Sequence, residues 1–267
     1  MDEQLEKMVK QVQDGAKYRF IHPALIENIA RNELKKGRSW KDTVKAIRNK
    51  LHQVGSAYQP QGIDYERLYS EMKSLPKDIH NPEVKRFLIQ TMGNHASTRE
   101  RLQILDQFYL EILNSLSPID SILDVACGLN PLALAWIPVT PSIQLTVCDI
   151  YVDQIEFLNA YFEHFNINGK AFCCDLTQQI PQEKAQLGLV LKTIPCLEQI
   201  DKNIGTKILQ DLLCQNLLVS FPAQSLSGKK KGMRQFYSEH FQTLLHNTGW
   251  DVSTFPFSNE QAFLIKK

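Results

Sequence analysis

The stretch Ile119-Asp-Ser-Ile-Leu-Asp-Val-Ala-Cys-Gly-Leu-Asn-Pro131 decides the fold of this chain. Ile119–Val125 is a short apolar run with β-branched residues, with Pro118 before it and small residues after it. Such a run reads as a strand buried in a parallel sheet. Ala126, Cys127 and Gly128 make a turn without bulk, and Asn130-Pro131 puts a proline where a helix can begin. Strand, small-residue turn and helix start together make a nucleotide-type pocket, because free backbone N–H groups point out of the turn. Asp124 bears on which ligand enters. A dinucleotide pyrophosphate asks for Gly-x-Gly-x-x-Gly, which this turn lacks, whereas a cofactor carrying a cationic amino group is better served by an acid.

Downstream of this turn, short apolar runs at 143–148, 171–174, 187–191, 217–221, 250–255 and 262–265 alternate with amphipathic segments. The amphipathic segments lie near 131–136, 153–166, 202–214 and 235–247. Strands alternating with helices imply a mostly parallel sheet covered on both faces. The last two strands have no helix between them, which predicts a terminal hairpin. That order is the methyltransferase variant of the doubly wound α/β sheet.

Upstream the signals are helical. Leu5, Met8, Val9 and Val12 recur at helical spacing; Leu25, Ile26 and Ile29 follow Pro23; Val44, Ile47, Leu51 and Val54 form a third stripe. The segment 55–62, with Pro60, breaks this pattern and splits the region into two helical pieces. Further helices carry Tyr65, Leu68, Tyr69 and Met72, then residues 83–92, then Leu105, Phe108, Tyr109 and Ile112. The expected organisation is an all-helical domain over 1–100 and an α/β domain over 101–267.

Of the 267 residues, 43% are hydrophobic and 22% charged, an ordinary globular composition. The net charge of +1 conceals an asymmetry: residues 1–100 carry +5 and residues 101–267 carry −4. Residues 31–50 alone hold eight basic and two acidic side chains, so the front half suits a polyanion, although a solvated lysine-rich helix face has the same composition. All six cysteines fall between Cys127 and Cys214 without a C-x-x-C pair, as expected of reduced thiols in a cytoplasmic protein. Neither a signal peptide nor a membrane-spanning run is expected, and the histidines show no metal-ligand spacing.

Ligands of open parallel sheets lie beyond the C-terminal strand ends. Asp124, Asp149 and Asp175 fall at the ends of three successive strands, and Leu191-Lys192 ends the fourth. Asp149, about twenty residues after the glycine turn, stands where a carboxylate accepts ribose hydroxyls, and Asp175 where one accepts from an adenine amino group. No acid–base catalytic constellation is present, which suits methyl transfer, a reaction that needs in-line placement and little else.

Four further segments carry a resemblance: His95-Ala-Ser-Thr-Arg-Glu-Arg101, Asp124-Val-Ala-Cys-Gly-Leu-Asn-Pro-Leu-Ala133, Leu191-Lys-Thr-Ile-Pro-Cys-Leu-Glu198 and Ser220-Phe-Pro-Ala-Gln-Ser-Leu-Ser-Gly228. With Lys50-Leu-His-Gln53, Lys231-Gly-Met233 and Asn259-Glu260, the chain resembles the aminoglycoside-resistance 16S rRNA (guanine(1405)-N(7))-methyltransferases along nearly its whole length. The resemblance implies a Rossmann-like class I domain that uses S-adenosyl-L-methionine, preceded by a helical rRNA-binding domain. It implies that His95, Ala96, Ser97 and Arg101 hold the methionine end, with Arg101 gripping its carboxylate in a two-pronged contact. Ala126 and Gly128 would line the turn, Asp149 would take the ribose, Asp175 and Leu176 the adenine, Leu191 would pack beside the cofactor, and Tyr58 would close over it.

On the RNA side the resemblance points to Lys17, Arg48, Lys50 and His52, with Lys229, Lys230 and Lys231 on a C-terminal loop, as phosphate contacts. Ser220, Phe221 and Pro222, together with Lys192, would meet a target guanine turned out of its helix. The chain departs from the family at Gln224, where a basic residue is usual, and around Asn259-Glu260. The expected partner is 16S rRNA within the 30S subunit, with the protein a monomer and neither DNA nor membrane involved. Two other functions stay open on the residues: a methyltransferase-like RNA-binding or ribosome-assembly factor without turnover, and a methyltransferase of the neighbouring decoding-site adenine.

Overall fold

The computed structural model describes residues 3–56, 62–116, 118–223 and 232–267. Three helices come first. In α1 (Glu3–Gln13) the stripe Leu5, Met8, Val9 and Val12 is buried. Pro23 opens α2 (Pro23–Leu34), and Ser39 caps α3 (Trp40–Leu51) by accepting the backbone N–H of Asp42 at 3.2 Å. Their apolar faces close on one another in a core of their own, which Tyr151 enters from the sheet side. A π-helical turn, His52–Ser56, then follows.

The next helices belong elsewhere. These are α4 (Tyr65–Met72), α5 (Pro82–Met92), α6 (Ala96–Arg101) and α7 (Leu105–Leu113). Met72, Leu88, Phe108 and Ile112 share one core with the strand residues Ile122, Leu145 and Leu187. The cores therefore part between Leu51 and Tyr65, not at residue 100. Sequence composition placed the boundary later because helices that cover a sheet and helices that cover each other show the same 3.6-residue stripe.

Behind them stands a seven-stranded sheet: β1 (Ile119–Val125), β2 (Val139–Asp149), β3 (Gly169–Cys173), β4 (Ala185–Leu191), β5 (Cys214–Pro222), β6 (Asp251–Pro256) and β7 (Glu260–Lys266), in the order β3-β2-β1-β4-β5-β7-β6. β1 to β5 are mutually parallel, and β7 runs antiparallel to both β5 and β6, as the terminal-hairpin expectation required. The connecting helices α8 (Val152–His164), α9 (Ile194–Leu197), α10 (Ile204–Asp211) and α11 (Met233–Leu244) complete the layers. The segment after the glycine turn is not an α-helix but a 3-10 helix, Asn130–Trp136, with Pro131 in its first turn as expected.

This topology sets the site. Chain order reverses between β1 and β4, so the crevice at their C-terminal ends is the switch point of the sheet. The backbone is bent for it: Ala126 (φ +49°), Gly128 (φ +52°) and Lys192 (φ +57°) are all left-handed, just beyond those two strands. Non-glycine residues held there cost on the order of 1–2 kcal/mol each, and such strain gathers at functional sites.

Candidate functional site

A cleft of about 830 Å³ opens at this switch point. Its walls include His95, Ser97 and Arg101 of the α6 segment, Ala126 and Gly128 of the turn, Asp149, Asp175, Leu176, Leu191 and Lys192. Ten of the residues expected at the cofactor or the target base thus meet around one cavity. Leu25, Val54 and Gly55 reach it from the helical bundle. The bundle is fixed there by backbone: the His22 N–H donates to Ile150 O at 2.8 Å and the Val152 N–H to Phe20 O at 2.8 Å.

The floor is acidic. Asp149 accepts the Gly128 N–H at 2.8 Å and the Ile150 N–H at 2.6 Å, one on each oxygen. The Gln154 amide and the Tyr151 N–H also donate to this carboxylate. Burial raises the Asp149 pKa, with the donors from Gly128, Ile150, Gln154 and Tyr151 opposing that rise. Asp175 accepts the Thr177 N–H and Oγ1–H on one oxygen, at 2.9 and 2.6 Å, and the Asn28 amide on the other at 3.3 Å. Asn28 sits on α2, so the bundle braces the acid at the far end of the cleft.

The cleft is also lined by cations. Arg101 is 2% exposed, and its Nε and Nη2 grip Glu260 of β7 at 3.2 and 2.6 Å while Nη1 donates to Asn130 Oδ1 at 2.9 Å. Burial would lower its pKa, but Glu260 overrides that and holds the guanidinium above its ordinary value. Lys192 is equally enclosed and pairs with Glu100 at 2.7 Å and Glu260 at 3.3 Å. Burial opposes the charge on Glu260, yet Arg101 and Lys192 keep its carboxyl below the usual range. His95 is pushed down to about 4, mainly by burial and then by Arg101, so its imidazole is neutral at physiological pH.

Several expectations need correction. Asp124 does not reach the cleft: it is 1% exposed, its Oδ2 accepts the Asn130 amide at 2.8 Å, and burial pushes its pKa up to about 8. It supports the wall from behind through Asn130. Ala96 is likewise buried and off the wall. Ser220 and Phe221 lie inside β5, which runs on to pair Pro222 with Glu260 of β7. Both are fully buried, and Phe221 stacks on Tyr237 at 5.0 Å within a core shared with Phe241 and Phe263. Neither side chain meets a base from there. Arg101 turns its fork to Glu260, so only its remaining N–H groups are left for a ligand.

Of the expected RNA contacts, Lys17 and His52 are exposed. Arg48 donates to Gln11 O at 2.7 Å and Lys50 to Gln199 O at 3.1 Å, so each also ties the bundle together or to the α9 region. Tyr58, Lys229, Lys230 and Lys231 lie outside the described residues, as does Gln224. Residues that sequence reading passed over are Asn130, Tyr151, Leu25 and Gly55. At Gly55 a Cβ would meet the Tyr151 hydroxyl at 2.6 Å, a close approach that only the folded structure reveals. Among the described residues no cluster of metal-ligating side chains occurs, and no helix is long and apolar enough to cross a membrane.

Comparison with known proteins identifies the family. The sequence model of the family described as "Ribosomal RNA methyltransferase (FmrO)" matches residues 14–265. The chain is 28% identical to a 16S rRNA (guanine(1405)-N(7))-methyltransferase of Micromonospora rosea, over 100% of this chain and 98% of that protein. It is 31% identical to one of Serratia marcescens, over 94% of each. The solved structure of the 16S rRNA methyltransferase RmtF in complex with S-adenosyl-L-homocysteine superposes with a TM-score of 0.85 at 27% identity, over 100% of this chain and 99% of that one. The 16S rRNA methylase RmtB superposes with a TM-score of 0.79 at 25% identity, over 98% of each.

Proposed function

The chain belongs to the ribosomal RNA methyltransferase (FmrO) family, and from that premise we propose that it methylates N7 of guanine 1405 of 16S rRNA, with S-adenosyl-L-methionine as donor. Aminoglycoside resistance is the proposed consequence. One observation carries the reading: a single cleft at the sheet's switch point is lined by the carboxylates Asp149 and Asp175 together with the buried Arg101 and the neutral His95. That set fits a ligand carrying both ribose hydroxyls and an amino acid.

The residues present suit the cofactor. Asp149 stands in the cleft wall as an acceptor for the ribose, Asp175 and Leu176 border the adenine, and Leu191 supplies an apolar wall. His95, Ser97 and the remaining N–H groups of Arg101 face the methionine end. When bound, S-adenosyl-L-methionine supplies an electrophilic methyl group on a positively charged sulfur.

The chain's own part is placement. Guanine N7 carries a lone pair and no proton, so no residue is needed as general base, and in-line alignment accounts for most of the acceleration. Lys192, with its backbone held left-handed at the cleft wall, positions the target base; Ser220, Phe221 and Pro222 act only by holding that wall from within β5. Lys17, Arg48, Lys50 and His52, with the run Lys229, Lys230 and Lys231, engage RNA phosphates and so orient the protein without reading bases. The natural substrate is the 30S subunit, met by a cytoplasmic monomer.

The test is methyl incorporation into purified 30S subunits from radiolabelled S-adenosyl-L-methionine. The wild-type chain transfers label and Arg101→Ala does not. Cells expressing the chain resist gentamicin and kanamycin but not apramycin. Label found on the neighbouring adenine, together with apramycin resistance, overturns the choice of base. Cofactor binding without incorporation into any rRNA supports a factor that does not turn over.

A further inference from the structure

The segment His95-Ala-Ser-Thr-Arg-Glu-Arg101 contains one acid, Glu100, to which the cofactor reading gives no part. Its neighbours Ser97, Thr98 and Arg101 line the cleft. The Glu100 carboxylate pairs instead with Lys192, whose Nζ donates to Glu100 Oε2 at 2.7 Å. Lys192 lines the cleft and its side chain is 4% exposed, whereas that of Glu100 keeps 20% of its surface in solvent. An ammonium and a carboxylate therefore stand side by side at the cleft wall, the lysine within and the glutamate nearer solvent.

Both groups retain hydrogen-bonding capacity. Of the three N–H groups of an ammonium, Lys192 directs one to Glu100 and one to Glu260 at 3.3 Å, which leaves one. A carboxylate offers about four acceptor positions, and Lys192 is the only donor that reaches the Glu100 carboxylate among the described residues. The pair is also held in place. The Asn259 amide donates to the Glu100 backbone carbonyl, Arg101 beside it is locked to Glu260, and the Lys192 N–H donates to Ser220 O at 3.0 Å. A fixed donor next to a fixed acceptor can tell one base edge from another.

Guanine and adenine differ at these positions. Guanine O6 accepts, while its N1–H and N2 amino group donate; the adenine N6 amino group donates and its N1 accepts. O6 lies next to N7 on the ring and N1 lies beyond it, so a guanine with N7 turned to the cofactor presents O6 first and N1–H next. The wall has the matching order, with Lys192 beside Leu191 in the cleft and Glu100 nearer solvent. We propose that Lys192 and Glu100 read the target base, the ammonium donating to guanine O6 and the carboxylate accepting from N1–H and the N2 amino group. An adenine in the same place sets its amino group against the ammonium and its N1 lone pair against the carboxylate. The inference rests on the methyl-transfer reading above and goes beyond it in assigning the residues that choose guanine.

Initial rates of methyl transfer from radiolabelled S-adenosyl-L-methionine to 30S subunits carrying guanine or adenine at position 1405 test this, with S-adenosyl-L-homocysteine affinity by calorimetry as the control. The wild-type chain is expected to favour guanine by about a hundredfold or more, about tenfold for each reversed contact. A glutamine amide can offer either its oxygen or its N–H. Glu100→Gln is therefore expected to lose about tenfold on guanine, to label adenine faster than the wild type does, and to keep its S-adenosyl-L-homocysteine affinity within about twofold. Glu100→Asp, which keeps the charge and shortens the reach, is expected to be slower yet to retain the preference for guanine. Wild-type protein that labels neither subunit contradicts the methyl-transfer reading. Wild-type protein that labels guanine subunits, beside a Glu100→Gln that keeps the guanine rate or gains nothing on adenine, contradicts the base-reading pair alone. An equal loss on both bases together with lost S-adenosyl-L-homocysteine affinity contradicts it too, since Glu100 then only supports the cleft wall.

Discussion

One added methyl group at Gly128 meets two obstacles. Its φ of +52° is strained for any side chain, and a Cβ there would lie 2.9 Å from the His95 ring. Gly128→Ala is therefore expected to cost about 1–2 kcal/mol of stability, and to weaken S-adenosyl-L-homocysteine binding by about tenfold or more in calorimetry, since tenfold corresponds to only about 1.4 kcal/mol. Asp124 gives a second prediction at this scale. Its pKa is about 8 in the folded protein, against an ordinary value of 3.8 for the side chain in water. Between those values the folded state holds a proton that the unfolded chain has released, so stability falls as pH rises across that window, then levels off above it. Thermal melts of the wild type should show this decline, and Asp124→Asn, which imitates the protonated form, should lack it. An unchanged slope in the variant would mean that Asp124 is ionised throughout. Sequence reading located Asp124 correctly on the strand but missed that it faces Asn130 and Arg101. A side chain at a strand end gives no sign of whether it turns forward into a crevice or back into the sheet.

At the scale of elements, β5 and β7 account for most of what sequence reading misplaced. By resemblance the motif Ser220-Phe-Pro222 is expected to meet the target base, yet its antiparallel pairing to Glu260, Gln261 and Ala262 buries Phe221 in an aromatic core. Phe221→Ala should cost about 3–5 kcal/mol in denaturant unfolding, as for other buried phenylalanines. Phe221→Leu, which keeps most of the volume, should leave the methylation rate within about twofold, a change well under about 1 kcal/mol. A large loss of rate in Phe221→Leu with stability preserved would restore a direct role at the base. The same pairing places Glu260 between Arg101 and Lys192, an arrangement of residues from three distant parts of the chain that only tertiary structure creates. Removing that charge by Glu260→Gln leaves two buried cations undercompensated. It is expected to destabilise by about 3–5 kcal/mol, the range measured when a buried ion pair loses one partner. By contrast, the β1 strand, its turn, the alternation after residue 119 and the terminal hairpin were all legible, because buried parallel strands leave unbroken apolar runs.

On the scale of the whole molecule, the basic front half and the acidic floor of the cleft belong to one body joined through His22, Ile150 and Tyr151. The bundle also lends Leu25, Val54 and Gly55 to the cavity wall, so the proposed RNA-binding and cofactor-binding parts share a boundary. The charge asymmetry of the sequence already pointed to a polyanion, but nothing in it revealed that α4 to α7 cover the sheet. The proposed phosphate contacts through these basic residues predict that affinity for the 30S subunit falls steeply with added salt. Charge removal at Lys17 should flatten that dependence without changing which base is modified. The measurement that bears most directly on the central claim is borohydride and aniline treatment of 16S rRNA from expressing cells, followed by primer extension. N7-methylguanine alone yields strand scission there, so a stop at guanine 1405 that requires the treatment and vanishes in Arg101→Ala is predicted. A methyl-labelled rRNA that resists scission, or a stop at the adjacent adenine without treatment, would contradict the account.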